Sequence, residues 1–363
     1  MIVRMVLAAI LATSLAGGSA GAAIVYVSPA GLPTNPGTPE APLDAATALS
    51  AKAAVVKPGD TVVLTEGTYA GGLRASLSGT AEAPIVVRGA PGRRVTVDAA
   101  ASERSGILIT GQWTVWRDLE ITNSDPRRTS KRRGRWNADL RRMPGIEVEG
   151  SHVRLINLVI HDAGQGMWLP SRAVDVEVYG CISYYNGWDS PYGGEGHGIE
   201  AQNEHETKRL HDNVTFHNFG GGITLASRGA PVSGFDIEGN VLFDNGVLTS
   251  DRRRQRNLMI GSLSWPASRL RIADNVMRHA GCAATSVQIG RTMEGRDAQF
   301  TGNYVIGATQ VLKFRSIEVR DNRFAGTMTV MHLHVDAKAD LGAYRWDRNR
   351  YWFVEGAWFP MAF

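Results

Sequence analysis

One short signature recurs down this chain and limits its possible folds more than any other feature. It is an Asn placed just before a run of strand-forming residues. The copies are Ile156-Asn157-Leu158-Val159-Ile160, Asp212-Asn213-Val214-Thr215-Phe216, Gly239-Asn240-Val241-Leu242-Phe243, Asp274-Asn275-Val276-Met277-Arg278, Gly302-Asn303-Tyr304-Val305-Ile306 and Asp321-Asn322-Arg323-Phe324. Gly180-Cys181-Ile182-Ser183-Tyr184 reads as a further copy with Cys in the Asn place. Repeats take precedence over local readings, because a missed period miscalls the whole fold. The intervals vary from 19 residues (303 to 322) to 35 (240 to 275), so this is no strict-length helical array. Fixed rungs joined by variable loops are implied.

Short β-branched and aromatic runs, punctuated by Gly and Asn and lacking helical periodicity, predict an all-β, single-domain parallel β-helix rather than a sandwich. One coil of such a solenoid cannot bury its own apolar face, so neighbouring coils stack and share a core. Asn at a recurrent corner tolerates left-handed backbone and bonds its neighbours, which makes Asn213, Asn240, Asn275, Asn303 and Asn322 corner residues rather than ligands. With 363 residues, 43% of them hydrophobic, the chain can bury a large core without disulfide staples.

The organisation follows from the flanks. Residues 1–22 have the order of a secretory signal peptide: Arg4, an apolar stretch from Met5 to Ala16, then small residues to Ala22. Cleavage near Ala22 would yield a secreted or periplasmic protein, a monomer without membrane insertion. Residues 23–56 read as an N-terminal strand and a capping helix started by Asp44. Residues 57–326 are the β-helix, and 327–363, with Trp346, Tyr351, Trp352, Phe353, Trp358 and Phe359, an aromatic C-terminal cap. Cys181 and Cys282 fall several coils apart at about 4.8 Å per coil, beyond the roughly 7 Å Cα limit for a bridge, so both are expected as free, buried thiols.

Strand parity exposes one face. With Ile199 and Ala201 inside, Glu200 and Gln202 point outward, and neighbouring coils align Glu147, Trp168, Glu200, Thr224 and Met259 in a row, with Glu149 alongside. An indole among carboxylates suits a sugar platform. Two basic clusters interrupt the coils: Arg127, Arg128, Lys131, Arg132, Arg133, Arg135, Arg141 and Arg142, then Arg252, Arg253, Arg254 and Arg256. A net charge of only +4 hides them. They point to an acidic polysaccharide as partner, and not to nucleic acid, since neither lies in a nucleic-acid-binding motif.

The opening Tyr26-Val27-Ser28-Pro29, Asn35 to Thr38, and Lys57-Pro58-Gly59-Asp60-Thr61 through Gly67-Thr68-Tyr69 resemble the first coils of secreted bacterial right-handed β-helix proteins. These include the pectate lyase-like and chondroitinase B/alginate lyase superfamily. The resemblance implies β-elimination on a uronate-containing polysaccharide. Elimination requires neutralisation of the carboxylate, a base for the C5 proton and a donor to the leaving oxygen. His197, His205, Lys208 and Arg228 supply catalytic candidates. Lys208 or His205 would be the base and Arg228 the donor or carboxylate partner. Glu147, Trp168, Glu200, Gln202 and Arg209 would bind substrate.

In the chondroitinase B/alginate lyase type the matching coil carries acidic calcium ligands, a Lys base a few residues on, and a Leu-Arg-His-Gly motif on the next coil. The resemblance therefore implies Glu200 as a metal ligand and Ca2+ as cofactor, with His205 near the Lys position and Leu225-Ala226-Ser227-Arg228-Gly229 over the Arg motif, displaced by two residues. Gln202 stands where a second acid belongs, which leaves a thin calcium site. Gly196-His197-Gly198 also resembles polygalacturonases, without their Asp-Asp pair. A glycoside hydrolase using carboxylates such as Glu147, Glu149, Asp189, Glu195 and Glu200, a C5-epimerase, and a non-enzymatic polysaccharide-binding or surface-assembly solenoid are the alternatives.

Overall fold

A computed structural model of the protein describes residues 21–132, 139–140, 142–191, 193–227, 229–250, 256–279, 284–326, 328–331 and 344–352. The expected signal segment up to residue 20, Arg228, Cys282, Phe353, Trp358 and Phe359 lie outside the described residues.

Each coil delivers one strand to each of three parallel sheets of 12, 11 and 10 strands. A representative coil runs Val153–Ile156, Val159–His161 and Gln165–Leu169 before Glu177–Tyr179 starts the next. Alternation sends one set of side chains into the shared interior. In the 12-stranded sheet Trp116, Leu155, Val178, Leu210, Ile237, Ile272 and Phe300 stack in register, all buried. The 10-stranded sheet contributes Ile107, Ile146, Met167, Ile199, Ile223 and Leu258. Among the described residues the single α-helix is Ala45–Ala48, where the Asp44 carboxylate accepts the Thr47 N–H at 2.9 Å. The solenoid runs on past residue 326, because Met328–Met331, Tyr344–Asp347 and Arg350–Trp352 each extend one of the three sheets.

The three corners differ. In the coils that carry the Asn ladder the turn between the 12- and 11-stranded sheets has two residues, and its first residue is left-handed, as at Asp212 (φ 54°), Gly239 (68°), Asp274 (55°), Gly302 (68°) and Asp321 (59°). The second residue is the Asn of the signature. The left-handed conformation thus falls on the Asp or Gly, and the Asn is free to bond upward and downward. The Oδ1 of Asn240 accepts both the N–H and the Nδ2–H of Asn213, at 2.9 and 3.0 Å, and Asn275 does the same for Asn240. The ladder continues through Asn303 and Asn322 to Asn349.

Two copies differ in detail. Cys181 takes the Asn place, its N–H donating to Asn213 Oδ1 at 2.9 Å, and burial pushes its thiol up to about 12. Asn157 is itself the left-handed residue (φ 51°), so the place in the ladder on that coil belongs to Leu158, whose N–H points at Cys181 Sγ. Asn157 is therefore off the ladder by one position.

Removing one rung leaves buried donors bare, at roughly 1–3 kcal/mol for each unsatisfied group. Asn275→Ala strips the acceptor from the N–H and Nδ2–H of Asn240. We expect a loss of about 2–4 kcal/mol in urea unfolding. A change within about 0.5 kcal/mol, ordinary for a surface site, would show that the ladder does not hold the coils together.

Candidate functional site

The outer face of the 10-stranded sheet carries the row expected from parity. Glu147 pairs with Trp168, Trp168 with Glu200, Glu200 with Thr224, Thr224 with Met259 and Met259 with Gln288. Glu200 is almost fully covered, and its Oε2 accepts the Gln165 Nε2–H at 2.7 Å. Glu147 accepts the Ser105 hydroxyl at 2.8 Å. Arg172, from the turn after the Trp168 strand, reaches Glu149 at 2.5 Å and Glu147 at 3.9 Å.

His197 sits at the edge of this row. Its Nδ1 accepts the Gly221 N–H at 2.7 Å and lies 3.1 Å from the Thr224 hydroxyl. An Nδ1 used as acceptor places the ring proton on Nε2, so His197 is set as a neutral hydrogen-bond donor rather than a base.

The remaining candidates separate because the chain turns a corner between Ala201 and Lys208. Lys208 starts the Lys208–His211 strand of the 12-stranded sheet with its side chain inside the solenoid, fully buried. Its ammonium donates to the carbonyls of Gln202 (2.5 Å), Pro170 (2.6 Å) and Leu169 (3.4 Å). Desolvation, with Arg172 adding to it, pushes this amine well below the usual lysine range. Lys208 does not face the row, so it cannot reach a sugar lying there. Arg209 alternates outward onto the 12-stranded sheet and pairs with Asp175 at 2.8 Å, on a different face from Glu200. His205 is largely exposed on the turn after Glu200, 4.0 Å from Glu204. Gln202 lies half-buried at the end of the Glu200 strand, tied through its backbone to Lys208 and Leu169.

Three long insertions, after Thr122, Tyr184 and Phe243, leave the 11-stranded sheet and return to the 10-stranded one, so they rise along one side of the row. Asp189 joins all three. Its backbone bonds Arg128 O and Ser130 N at 2.9 Å, while its carboxylate accepts the Thr249 hydroxyl at 3.1 Å and the Ser250 N–H at 3.2 Å. Beneath them runs a second Asn ladder, Asn186 to Asn218 to Asn245 to Asn257, each Nδ2–H donating to the next Oδ1 at 2.8–3.0 Å. The sequence reading missed it. Its signal was an Asn five residues after Cys181, Asn213 and Asn240.

The first basic cluster is less exposed than its sequence suggests. Arg127 pairs with Asp125, and Arg128 with Asp162. Arg142 is buried, donates to the carbonyls of Arg127, Asp162 and Asp125, and is lowered to about 10 chiefly by desolvation. Lys131 and Arg132 remain exposed, and Arg256 bonds Gln288 at the far end of the row. Arg133, Arg135, Arg141 and Arg252 to Arg254 lie outside the described residues.

Calcium calls for about six to eight oxygen ligands. At Glu200 the Gln165 amide turns an N–H toward the carboxylate instead, so the described groups do not fit that ion. His211, Asp236 and Glu238 cluster on the outer face of the 12-stranded sheet, but Arg271 bonds Asp236 at 2.7 Å and Glu238 at 2.6 Å. That cluster belongs to a ladder of paired charges.

Two outcomes are expected. Lys208→Met removes the donor shared by Pro170 and Gln202 and costs about 1–3 kcal/mol. Because the folded-state amine is depressed, the unfolded chain binds the extra proton between the two values. Wild-type stability relative to the variant therefore rises as pH increases toward about 10.4 and is lowest below the folded value; a flat difference would contradict the depression of the amine by burial. Asp189→Ala should abolish hydrogen-exchange protection of the Ser250 amide while leaving the Asn ladders protected. Retained protection at Ser250 would mean that the insertions are held by other contacts.

The family model of the Pel9A-like right-handed β-helix region matches residues 25–257. A search of curated proteins gave no significant match. Among solved structures, the chain is similar to pectate lyase Pel9A, at 20% identity and TM-score 0.58 over 91% of this chain and 81% of that one. It is similar to a rhamnogalacturonan lyase at 13% identity and TM-score 0.59, covering 90% and 87%. The GH136 lacto-N-biosidase of Eubacterium ramulus is 16% identical with TM-score 0.57, covering 91% and 68%. At these identities the neighbours report the fold, whereas the matched region identifies the lineage. The chain belongs to the Pel9A-like right-handed β-helix family.

Proposed function

We propose that this protein is an exported polysaccharide lyase that binds a uronate-containing chain along the outer face of the 10-stranded sheet and cleaves it by β-elimination. The observation that carries the reading is the in-register row of Glu147, Trp168, Glu200 and Thr224, walled on one side by insertions tied together at Asp189. Membership of a family whose structural neighbours include a pectate lyase and a rhamnogalacturonan lyase supports the choice of reaction. Trp168 offers the sugar an apolar ring. Arg172 and Arg256 offer the uronate carboxylate its charge partners. His197, with its proton on Nε2, offers the leaving oxygen a hydrogen bond, and the exposed His205 takes the C5 proton as base and, once protonated, returns it to that oxygen, since Lys208 is locked inside.

Hydrolysis is the second reading, and one observation favours it. Glu147 and Glu200 flank Trp168 two rungs apart, about 9.6 Å along the solenoid at roughly 4.8 Å per rung. That is close to the upper end of the spacing used by inverting glycosidases, about 6.5–9.5 Å.

Incubation with a panel of uronate polysaccharides separates the two. Ultraviolet absorbance of unsaturated uronates is expected, together with at least about a hundredfold loss of rate in His205→Ala, the size of a lost general base. New reducing ends without that absorbance, abolished by Glu200→Gln, would establish hydrolysis instead. Retained polysaccharide binding with neither signal would leave a binding solenoid.

A further inference from the structure

Around the corner from the row, the outer face of the 12-stranded sheet holds a concave strip. It runs from Ala81 and Pro84 past Trp113, His152 and Asp175 to Arg209. Its groups are fixed in a chain of contacts. The Trp113 and His152 rings stack at 3.8 Å and 9°. His152 Nδ1 lies 3.0 Å from Asp175, and Arg209 donates to the other Asp175 oxygen at 2.8 Å. Arg154 and Glu177, one strand apart, form the floor with a 3.4 Å ion pair. None of these residues serves the proposed elimination.

Trp113 is the telling member. It occupies left-handed backbone at φ 53°, where a bulky side chain is strained; the same turn has His152 at φ 56° on the next coil and Asp175 at φ 50° on the one after. Stability alone would favour Asn, Asp or Gly at that position. An indole kept there, half-buried and braced from one side by an imidazole, is a presented ring.

We propose that this strip is a second, non-catalytic carbohydrate site that binds a neutral stretch of polysaccharide. It spans five rungs, about 19 Å at roughly 4.8 Å per spacing, and so accepts an extended chain rather than a compact metabolite. Its two guanidinium groups are balanced by Asp175 and Glu177, so the strip has no excess charge for a uronate to answer. Paired charged groups beside an aromatic ring are instead placed to exchange hydrogen bonds with sugar hydroxyls. The strip and the row share an edge. Residues 170–176 carry Arg172 toward Glu149 and Asp175 toward the strip, so a long polysaccharide can be held on one face while its acidic part is cut on the other.

The proposal rests on the carbohydrate-active reading and is tested apart from it, by calorimetric titration of neutral hexaoses (β-1,4-linked gluco-, xylo- and galacto-) against the full chain carrying Glu200→Gln. At least one hexaose is expected to bind, to keep its affinity when Trp168→Ala is added, and to lose at least tenfold with Trp113→Ala. Arg154→Met, at a largely exposed side chain, should weaken it similarly without touching the fold. Unchanged affinity in both strip variants, or loss of all binding with Trp168→Ala, would overturn the assignment. Cleavage of uronate polysaccharide with no binding of any neutral hexaose would sink the strip and leave the groove reading standing.

Discussion

The structure depends on a carboxamide that can be satisfied only by the next coil. From Asn240 to Asn322 each ladder Asn is buried, each Oδ1 takes two N–H donors from the coil before, and each Nδ2 also donates to a backbone carbonyl, as Asn240 does to Leu210 at 2.7 Å. A buried amide left without these partners loses its water and receives nothing in return. The coils are therefore interdependent. Apolar stacking supplies most of the driving force, but apolar rows can slip. A two-residue turn whose second side chain must meet its copy one coil away cannot, so the ladder sets the register on which every row of side chains rests.

That requirement moves variation elsewhere. Along the ladder nothing can be inserted between the 12- and 11-stranded sheets without breaking it, so there the loops gather at the other corners, the longest described ones before the 10-stranded sheet. The second ladder, from Asn186 to Asn257, holds the roots of those loops to the same repeat. Above it, Asp189 and the buried Arg142 tie the insertions to one another and to the carbonyls beneath. A wall built this way is rigid at its base and variable at its top, which is the arrangement on which sites are commonly grafted.

Alternation made half of the site legible from sequence. Glu147, Trp168, Glu200, Thr224 and Met259 were placed in one row because parity needs only the strand and its inward residues, and the hydrogen-bonded register agrees residue for residue. What alternation could not give was the corner. His205, Lys208 and Arg209 follow Glu200 closely in sequence, yet the turn at residues 202–207 carries the chain onto another sheet. There the same rule, applied from Leu210, points Lys208 inward and Arg209 outward. The basic cluster misled for a related reason, since counting arginines cannot reveal that Asp125 and Asp162 stand beside Arg127 and Arg128 or that Arg142 is consumed by carbonyls.

The inward turn of Lys208 gives that residue another use. Its ammonium gathers the carbonyls of Leu169 and Pro170, at the end of the Trp168 strand, and of Gln202, at the end of the Glu200 strand. These strand ends are adjacent rungs of the row, and Pro170 opens the turn that carries Arg172 to Glu149 on one side and Asp175 to Arg209 on the other. A buried cation is costly to desolvate and persists only where several acceptors surround it. Here those acceptors belong to the backbone that spaces Trp168 from Glu200. The lysine that sequence offered as a base is thereby a structural tie, holding from below the two strand ends that follow Trp168 and Glu200.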